Sequence, residues 1–336
     1  MQAMFHDAAS LACAFIRLHA GLFTIGVIGL GMTSAACAQA FPTRPINVIY
    51  NNTPGSGPDV MGRLMATEAA KILGQSVIYE NRTGANGRLI IPALKASAGD
   101  GHVLGLVTDG LVISQPIADP AFQFEAGKDY EPVSMLFESP FVLAIRPGMA
   151  FTDLKGFIAY ARANPGKLNF SMTAGASSQF LAERFVRAIN VSVTLIPYKG
   201  GEAGIMATLG AQTDMLFSTA TAKPHVDSAK LLAVITTGSE RWKLFPGVPT
   251  LRELGVPFTA ASGYPLIAPA GTPRAVLTRI NRAFEQASRS PDVVRRMQEF
   301  GYTSLAGMGV DETATYLRSE IETWTPIIRK AGIKME

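Results

Sequence analysis

The sequence predicts an α/β fold made of two similar units. Short β-branched runs alternate with helical stretches through the 336-residue chain, and loops of small or polar residues follow several of the predicted strands. The same order of strand, loop and helix restarts near residue 141. Alternation of this kind is typical of parallel strands joined by right-handed crossovers, and two such units in one chain indicate two lobes.

The first unit is predicted from β-branched strands that are separated by helices. Asp59 is the expected N-cap of the first helix, and Gly74 is the expected end of that helix. In chain order the predicted elements are strand 46–50, helix 60–73, strand 76–79, helix 88–97 and strand 103–108.

The second unit repeats this order and is followed by two amphipathic helices. Tyr316, Ile321, Trp324 and Ile328 recur near helical spacing in the last helix, and we expect this apolar stripe to pack into the core rather than to bind a partner. The predicted elements are strand 141–145, helix 153–163, strand 168–172, helix 179–189, strand 194–196, helix 202–209, strands 215–218 and 231–236, and helices 273–288 and 311–330.

The first 40 residues differ in composition and predict an export signal. Residues 20–32 are apolar and rich in glycine, about the length of a signal-peptide core and short for a membrane span. The three residues that end at Ala40 (Ala-Gln-Ala) match a cleavage site, so we expect a signal peptide over residues 1–40 and a mature chain that starts at Phe41. An uncleaved anchor and a lipoprotein attached through Cys37 are the alternatives.

Cysteine, histidine and charge exclude several classes of function. Cleavage near Ala40 would remove Cys13 and Cys37 and leave two histidines, His102 and His225. This excludes a zinc site of Cys or several His ligands and a Cys nucleophile, and the sequence has no Gly-x-Ser-x-Gly or nucleotide-binding motif. The net charge of +4 is dispersed rather than gathered in a basic stripe. We therefore expect no catalytic residues, no metal, no cofactor and no nucleic-acid partner.

Three loops share a position suited to anion binding, namely residues 53–58, 173–178 and 198–201. Each follows a predicted strand and precedes a predicted helix. Loops of this kind lie where open α/β sheets bind ligands, and the helix start offers free N–H groups and a partial positive charge. A single loop of this kind is more simply an ordinary strand-to-helix turn, but three of them on the two predicted units indicate a ligand cleft. Further donors are the hydroxyl groups of Thr53, Ser56, Thr173, Ser177 and Ser178.

Two charged residues beside these loops each allow two interpretations. Asp109 follows a predicted strand, where its side chain either faces the ligand cleft or caps the next segment. Lys199 either pairs with an anionic ligand or is a solvated loop lysine. The sequence does not decide between these alternatives.

Seven ordered segments resemble a known family over nearly all of residues 41–333. They are similar to the receptors of tripartite tricarboxylate transporters, the Bug (Bordetella uptake gene) family of periplasmic binding proteins. Among them, residues 80–87 read Glu-Asn-Arg-Thr-Gly-Ala-Asn-Gly. Several motifs in the same order make the resemblance far more specific than any one of them. The segments are 41–46, 53–59, 80–87, 163–170, 196–201, 247–250 and 266–273.

The resemblance implies a type II, periplasmic-binding-protein-like Venus flytrap: two α/β lobes with a double crossover and an interlobe cleft. Lobe 1 is then expected over residues 41–144 plus 264–336, and lobe 2 over residues 145–263. The resemblance also implies a periplasmic receptor, expected to be a monomer. Such a receptor captures a small carboxylate or related organic solute and delivers it to a membrane permease of the tripartite tricarboxylate type. An exported sensor or scaffold that uses the same fold for signalling is the alternative.

The sequence departs from the family pattern at several positions of the expected cleft. Ala174 and Ala176 stand where glycine is usual, and their methyl groups limit how closely a ligand approaches the backbone. Phe180 replaces a common histidine, Ser218 replaces an often acidic residue, and Asp109 stands where small hydroxyl residues are usual. We therefore expect that the pocket does not hold the usual small dicarboxylate in the usual way. The candidate ligand-binding residues are Asn52, Thr53, Gly55, Ser56, Asp59, Asp109, Thr173, Ala174, Ala176, Ser177, Ser178, Tyr198, Lys199 and Ser218.

Overall fold

The computed structural model of this protein describes residues 41–331. The predicted signal peptide over residues 1–40, with Cys13, Cys37 and the cleavage site near Ala40, lies outside the described residues. The described part is built from strands and α-helices with short 3₁₀ and π turns between them.

Strands alternate with helices through most of the described chain, as the sequence predicts. The strands are β1 (Ile46–Tyr50), β2 (Val77–Asn81), β3 (Val103–Leu106), β4 (Tyr130–Pro140), β5 (Val142–Ile145), β6 (Asn169–Thr173), β7 (Thr194–Tyr198), β8 (Met215–Ser218), β9 (Leu232–Thr236), β10 (Ala261–Pro269) and β11 (Thr303–Ser304). The helices are α1 (Gly57–Leu73), α2 (Ile91–Lys95), α3 (Gln115–Ala118), α4 (Leu154–Ala163), α5 (Ser177–Ala188), α6 (Gly201–Leu209), α7 (Lys223–Asp227), α8 (Arg274–Ser288), α9 (Pro291–Phe300) and α10 (Val310–Ala331). Within residues 41–331, none of these helices has the length and apolarity needed to cross a membrane.

The first sheet is mixed and has the strand order β11-β4-β10-β3-β1-β2. β1 lies parallel to β2 and β3, as predicted, but β10 runs antiparallel to both β3 and β4. The prediction of a parallel sheet is therefore wrong for this part. β4 and β10 escape sequence analysis because they contain prolines such as Pro132 and Pro265, which are uncommon inside sheets. Pro265 is tolerated because it lies beside a register shift in the ladder.

The second sheet has the order β7-β6-β8-β5-β9. β6 is parallel to β7 and β8, whereas β5 runs antiparallel to β8 and β9. Because Val142–Ile145 pairs in this sheet, residues 142–144 belong with the second sheet rather than with the first, where the expected lobe boundary had put them. The chain passes from the first sheet to the second at Phe141, between β4 and β5.

Two main apolar cores cover faces of the two sheets. The core of the second sheet is rich in aromatic rings, including Phe157, Phe170, Phe185 and Phe217. A separate core of the first sheet receives the apolar stripe of α10, so the prediction that this stripe packs inward is confirmed. Ile328, at the end of the stripe, is also buried.

Helix α1 begins earlier than the sequence predicts. Its N-cap is Ser56, and Pro58 occupies one of the first two helical positions, where its missing N–H costs no helical hydrogen bond. The prediction of Asp59 as N-cap is therefore wrong. Asp59 lies inside the first turn and accepts a hydrogen bond from Gly55 N (2.8 Å) instead.

The replacement Gly62→Ala should destabilise the protein, although alanine favours helices. A Cβ atom at Gly62 would lie 2.7 Å from Leu106 Cδ2 and even closer to the Tyr79 hydroxyl, because α1 packs tightly on β2 and β3. Overpacking costs about 1–3 kcal/mol, which exceeds the gain of about 1 kcal/mol in helix propensity. We expect urea denaturation to show a net loss of about 1 kcal/mol, and of no more than about 2 kcal/mol.

The matched control is Gly201→Ala at the start of α6, where an added Cβ meets no atom within 4 Å. It should change the free energy of unfolding by less than about 0.5 kcal/mol. Equal values for the two variants would contradict the tight approach of α1 to the sheet.

Candidate functional site

The first predicted loop, after β1, is ordered by its own side chains. Thr53 donates to Asn52 Oδ1 through its N–H (2.8 Å) and through Oγ1 (3.3 Å). Ser56 Oγ donates to Thr53 O at 2.8 Å. Thr53 and Gly55 are exposed, and Asn52 and Ser56 are half-buried. The loop therefore presents Thr53 and Gly55 to the surface in a fixed arrangement.

Asp59, in the first turn of α1, holds this loop in place through hydrogen bonds. Its carboxylate is buried; Oδ2 accepts from Gly55 N (2.8 Å) and Arg63 Nε (3.1 Å). Oδ1 accepts from Asn81 Nδ2 (2.7 Å), which also donates to Asn52 O (3.0 Å). Both carboxylate oxygens thus have protein partners, so Asp59 orders the loop and leaves little capacity for a ligand.

The second predicted loop, residues 173–178, leads into α5 through an extended N-cap at Ala176 that has no side-chain cap. Thr173 N donates to Ser178 Oγ (3.2 Å), and the N–H of residue 175 donates to Gln179 Oε1 (2.8 Å). The first N–H groups of α5 have no partner within the helix, as at every helix start, and they carry its partial positive charge. Ala174 is exposed and Ala176 is half-buried. This end of α5 can bind an anion.

Asp109 joins this helix start to the first sheet. Its Oδ1 accepts from Gly110 N (2.8 Å) and from Ser177 Oγ (2.5 Å), and its Oδ2 accepts from Gly263 N on β10 (2.9 Å). Asp109 therefore caps the turn that follows it, which is one of its two interpretations, and its carboxylate also contacts the second predicted loop.

Two carboxylic acids in this region, Asp109 and Glu138, have raised pKa values. Burial raises the pKa of Asp109 to about 6, although its three hydrogen bonds lower it. Burial also raises the pKa of Glu138 on β4, and the charges of Asp109 and Glu320 raise it further. Glu320 lies on α10 and accepts from Trp324 Nε1 (3.1 Å). The region next to Asp109 is therefore acidic.

A small cavity of about 10 Å³ adjoins Asp109, room for about one water molecule. Most of its wall is apolar. One wall residue, Trp324, also packs against Arg184, which lies two turns along α5. The Arg184 guanidinium stacks on Trp324 (5.0 Å from the ring centroid) and on Phe258 (4.2 Å). The lining residues are Asp109, Ile113, Ser114, Phe141, Ser177, Phe180, Leu181, Ala260, Ala261 and Trp324.

The remaining candidates lie around the third loop and the end of β8. Tyr198 O accepts from Ala174 N (3.4 Å), so the second and third loops are neighbours. Lys199 is exposed on its loop. Ser218 is buried and shares a hydrogen bond with Thr221 Oγ1 (3.0 Å). Between residues 41 and 331, no hydrogen bond joins the first loop to the second.

Sequence reasoning misses several residues beside Asp109. Gly263 and Glu138 lie opposite each other on β10 and β4, two strands that the sequence does not predict. Phe180 was noted as a departure from the family pattern, and Trp324 as a packing residue; both line the cavity. No signal in the sequence assigns Glu138 or Trp324 to the site, because their neighbours there are distant in the chain.

A metal site has no support in the part of the chain that the structure describes. No group of three or more His, Cys, Asp or Glu side chains there could hold a metal ion.

Comparisons with known proteins agree on one family. Residues 61–333 match the family described as tripartite tricarboxylate transporter family receptor. Protein BugT of Bordetella pertussis is 31% identical over 321 residues, which cover 93% of this chain and 98% of BugT. The structure of MatC from Rhodopseudomonas palustris with bound malate is 29% identical, with a TM-score of 0.76 over 86% of this chain and 100% of MatC. A structure described as a periplasmic transporter is 26% identical, with a TM-score of 0.79 over 88% of this chain and 100% of its own.

Proposed function

Because this chain belongs to the tripartite tricarboxylate transporter receptor family, we propose that it is a periplasmic receptor that captures a small carboxylate between two lobes. The observation that carries the proposal is the start of α5, which has no side-chain cap and whose Ser177 lines a small cavity beside Asp109. The malate bound to MatC supports a carboxylate as ligand. The family consists of binding proteins, and we propose that this member, too, catalyses no reaction.

We propose two lobes close to the expected bounds of 41–144 plus 264–336 and 145–263. The chain would cross between them at Phe141 and near Ala260, so residues 142–144 would join lobe 2 and residues 261–263 would join lobe 1. The pairing of β5 and β10 in different sheets supports crossings at Phe141 and near Ala260. Buried Thr237 hydrogen-bonds to both crossing segments. Its N–H donates to Phe141 O (2.9 Å) and its Oγ1 accepts from Phe141 N (2.9 Å). The same Oγ1 donates to Ala260 O (2.6 Å). We propose that this cluster is the hinge.

The proposed mechanism is a shift of population toward the closed form. A ligand that contacts both lobes binds the closed form more tightly and therefore stabilises it. We propose that cleavage near Ala40 releases the receptor into the periplasm. The closed form would then deliver its solute to a permease of the tripartite tricarboxylate type. The candidate ligand contacts are the exposed groups of the first loop and the start of α5.

A thermal-shift screen tests the receptor proposal. The chain from residue 41 onward, shown to be folded and free of ligand, is heated with aliphatic, aromatic and amino-acid carboxylates. At about 100 times its dissociation constant a true ligand adds about 2.7 kcal/mol, which raises the melting temperature by roughly 5–10 °C. Neutral diamides of the same acids are the control and should give no shift. A protein that responds to no carboxylate would not be the proposed receptor.

A further inference from the structure

The carboxylate of Asp109 is held as a bound anion would be held. Its three donors come from three separate parts of the fold: Gly110 N after β3, Ser177 Oγ at the start of α5, and Gly263 N on β10. A helix start with an adjacent hydroxyl is a favourable seat for an anion. Ser177 at the start of α5 donates its hydroxyl to Asp109, so the protein places its own carboxylate beside that helix start.

Little space remains beside Asp109 for a second carboxylate. The segment that carries it lies against the second loop, since a Cβ atom at Gly110 would be 3.4 Å from Gly175 O and 3.7 Å from Ser177 N. The adjoining cavity, of about 10 Å³, has room for about one water molecule. A ligand group at this position must therefore lie directly against the Asp109 carboxylate.

The charges near Asp109 oppose a second anion. Glu138 and Glu320 interact electrostatically with each other, and Glu138 also with Asp109. Among the described residues, no Lys, Arg or His forms a salt bridge with Asp109; Arg184 of α5 stacks on Trp324 and interacts electrostatically with Glu320 rather than with Asp109. A ligand carboxylate placed against these carboxylates would be repelled, and the repulsion would weaken its binding. A ligand group that donates a hydrogen bond would instead be attracted to Asp109.

We propose that Asp109 determines the specificity of the receptor: its carboxylate occupies one anion position of the cleft and requires a hydrogen-bond donor from the ligand there. This inference rests on the proposed function and narrows its substrate class. The ligand presents one carboxylate to the other donors of the cleft and a carboxamide, ammonium or hydroxyl group to Asp109. A dicarboxylate of the same length is then a poor ligand at neutral pH.

The protonation of Asp109 predicts that ligand binding depends on pH. Burial sets its pKa at about 6, and the groups that face it are Glu138 of β4, Tyr264 of β10, and Tyr316 and Glu320 of α10. Below pH 6 the protonated Asp109 is neutral and can itself donate to a ligand carboxylate. Dicarboxylate binding should therefore strengthen as the pH falls from 7.5 to 5, while monoamide binding should weaken or stay level.

Titration calorimetry with matched ligands tests the proposal. The probes are succinate, glutarate and adipate, each paired with its monoamide, which replaces one carboxylate by a carboxamide of the same shape. At pH 7.5 the wild-type protein should bind at least one monoamide about tenfold or more tightly than its diacid. Asp109→Ser removes the internal carboxylate and should abolish or invert this preference. Asp109→Asn, which keeps the size and removes the charge, should do the same.

The control variant is Asp292→Ser, an exposed aspartate of α9 whose partner is Arg295. It should leave the ratio of monoamide to diacid affinity unchanged. The inference is overturned if the wild-type protein binds diacids as tightly as monoamides at pH 7.5, or if both Asp109 variants keep the wild-type ratio. It is also overturned if none of the six compounds binds. If another carboxylate still raises the melting temperature, the receptor proposal survives that result; if none does, both fail.

Discussion

Phe185→Ala should lower the free energy of unfolding by about 3–5 kcal/mol, the range for removing a fully buried aromatic ring. Phe185 has no solvent exposure and lies at the centre of the aromatic core of the second sheet. Its ring stacks on Phe157 at 5.9 Å between centroids and meets Phe217 edge-on at 5.2 Å. The cavity left by the ring cannot close, because the neighbouring rings are held by the sheet and by α4.

Urea denaturation followed by circular dichroism measures this loss. Phe300→Ala is the matched control, because Phe300 is half-buried at the end of α9. We expect the control to lose less than half as much stability. Similar losses for the two variants would show that the second sheet does not depend on this core. Because Phe185 lies on α5, the same helix that begins at Ser177, the variant should also weaken ligand binding.

Asp59→Ala should cost about 2–4 kcal/mol and abolish ligand binding. The change leaves Gly55 N and Asn81 Nδ2 without this acceptor. Gly55 is exposed and Asn81 is half-buried, so each loss should cost about 1–2 kcal/mol, the lower part of the range for a lost hydrogen-bond partner. The ion pair with Arg63 adds little, because that side chain is 45% exposed and screened by solvent. Without Asp59 the first loop loses the bonds that order it, so binding should fail even where the fold survives.

Two measurements separate these effects: urea denaturation for stability, and calorimetry with whichever carboxylate the thermal-shift screen identifies. Asp227→Ala is the control, since Asp227 is 58% exposed and pairs with Lys223 on the surface. It should change stability by less than about 1 kcal/mol and leave binding intact. If Asp59→Ala retained wild-type affinity, the first loop would not belong to the ligand site.

Elements with regular local patterns were predictable from the sequence. β8 is predicted at its observed bounds, Met215–Ser218, and the end of α1 at Leu73 follows from Gly74, which adopts the left-handed conformation expected of a helix-ending glycine. The starts of helices and the two long strands were harder to predict. Ser56 rather than Asp59 caps α1, and the prolines of β4 and β10 hide their strands.

The candidate site was predictable only as a set of loops. Runs of small and hydroxyl-bearing residues between a predicted strand and a predicted helix indicate the loops around Thr53, Ser177 and Tyr198. Such runs can be recognised from neighbouring residues alone, because tight turns favour these residue types. Whether Asp109 would cap a turn or face the cleft could not be decided, because its partners Ser177 and Gly263 lie 68 and 154 residues away.

The sequence by itself determined the alternation of strands and helices, the family and the three candidate loops, because each is written in neighbouring residues and in the order of motifs. Only the tertiary structure decided which loops meet. The antiparallel strand β10 brings Gly263 to Asp109, and the start of α5 brings Ser177 to it. Such contacts depend on how distant strands pair and pack, which no local pattern encodes. That is why a carboxylate in an expected anion site became visible only in the folded chain.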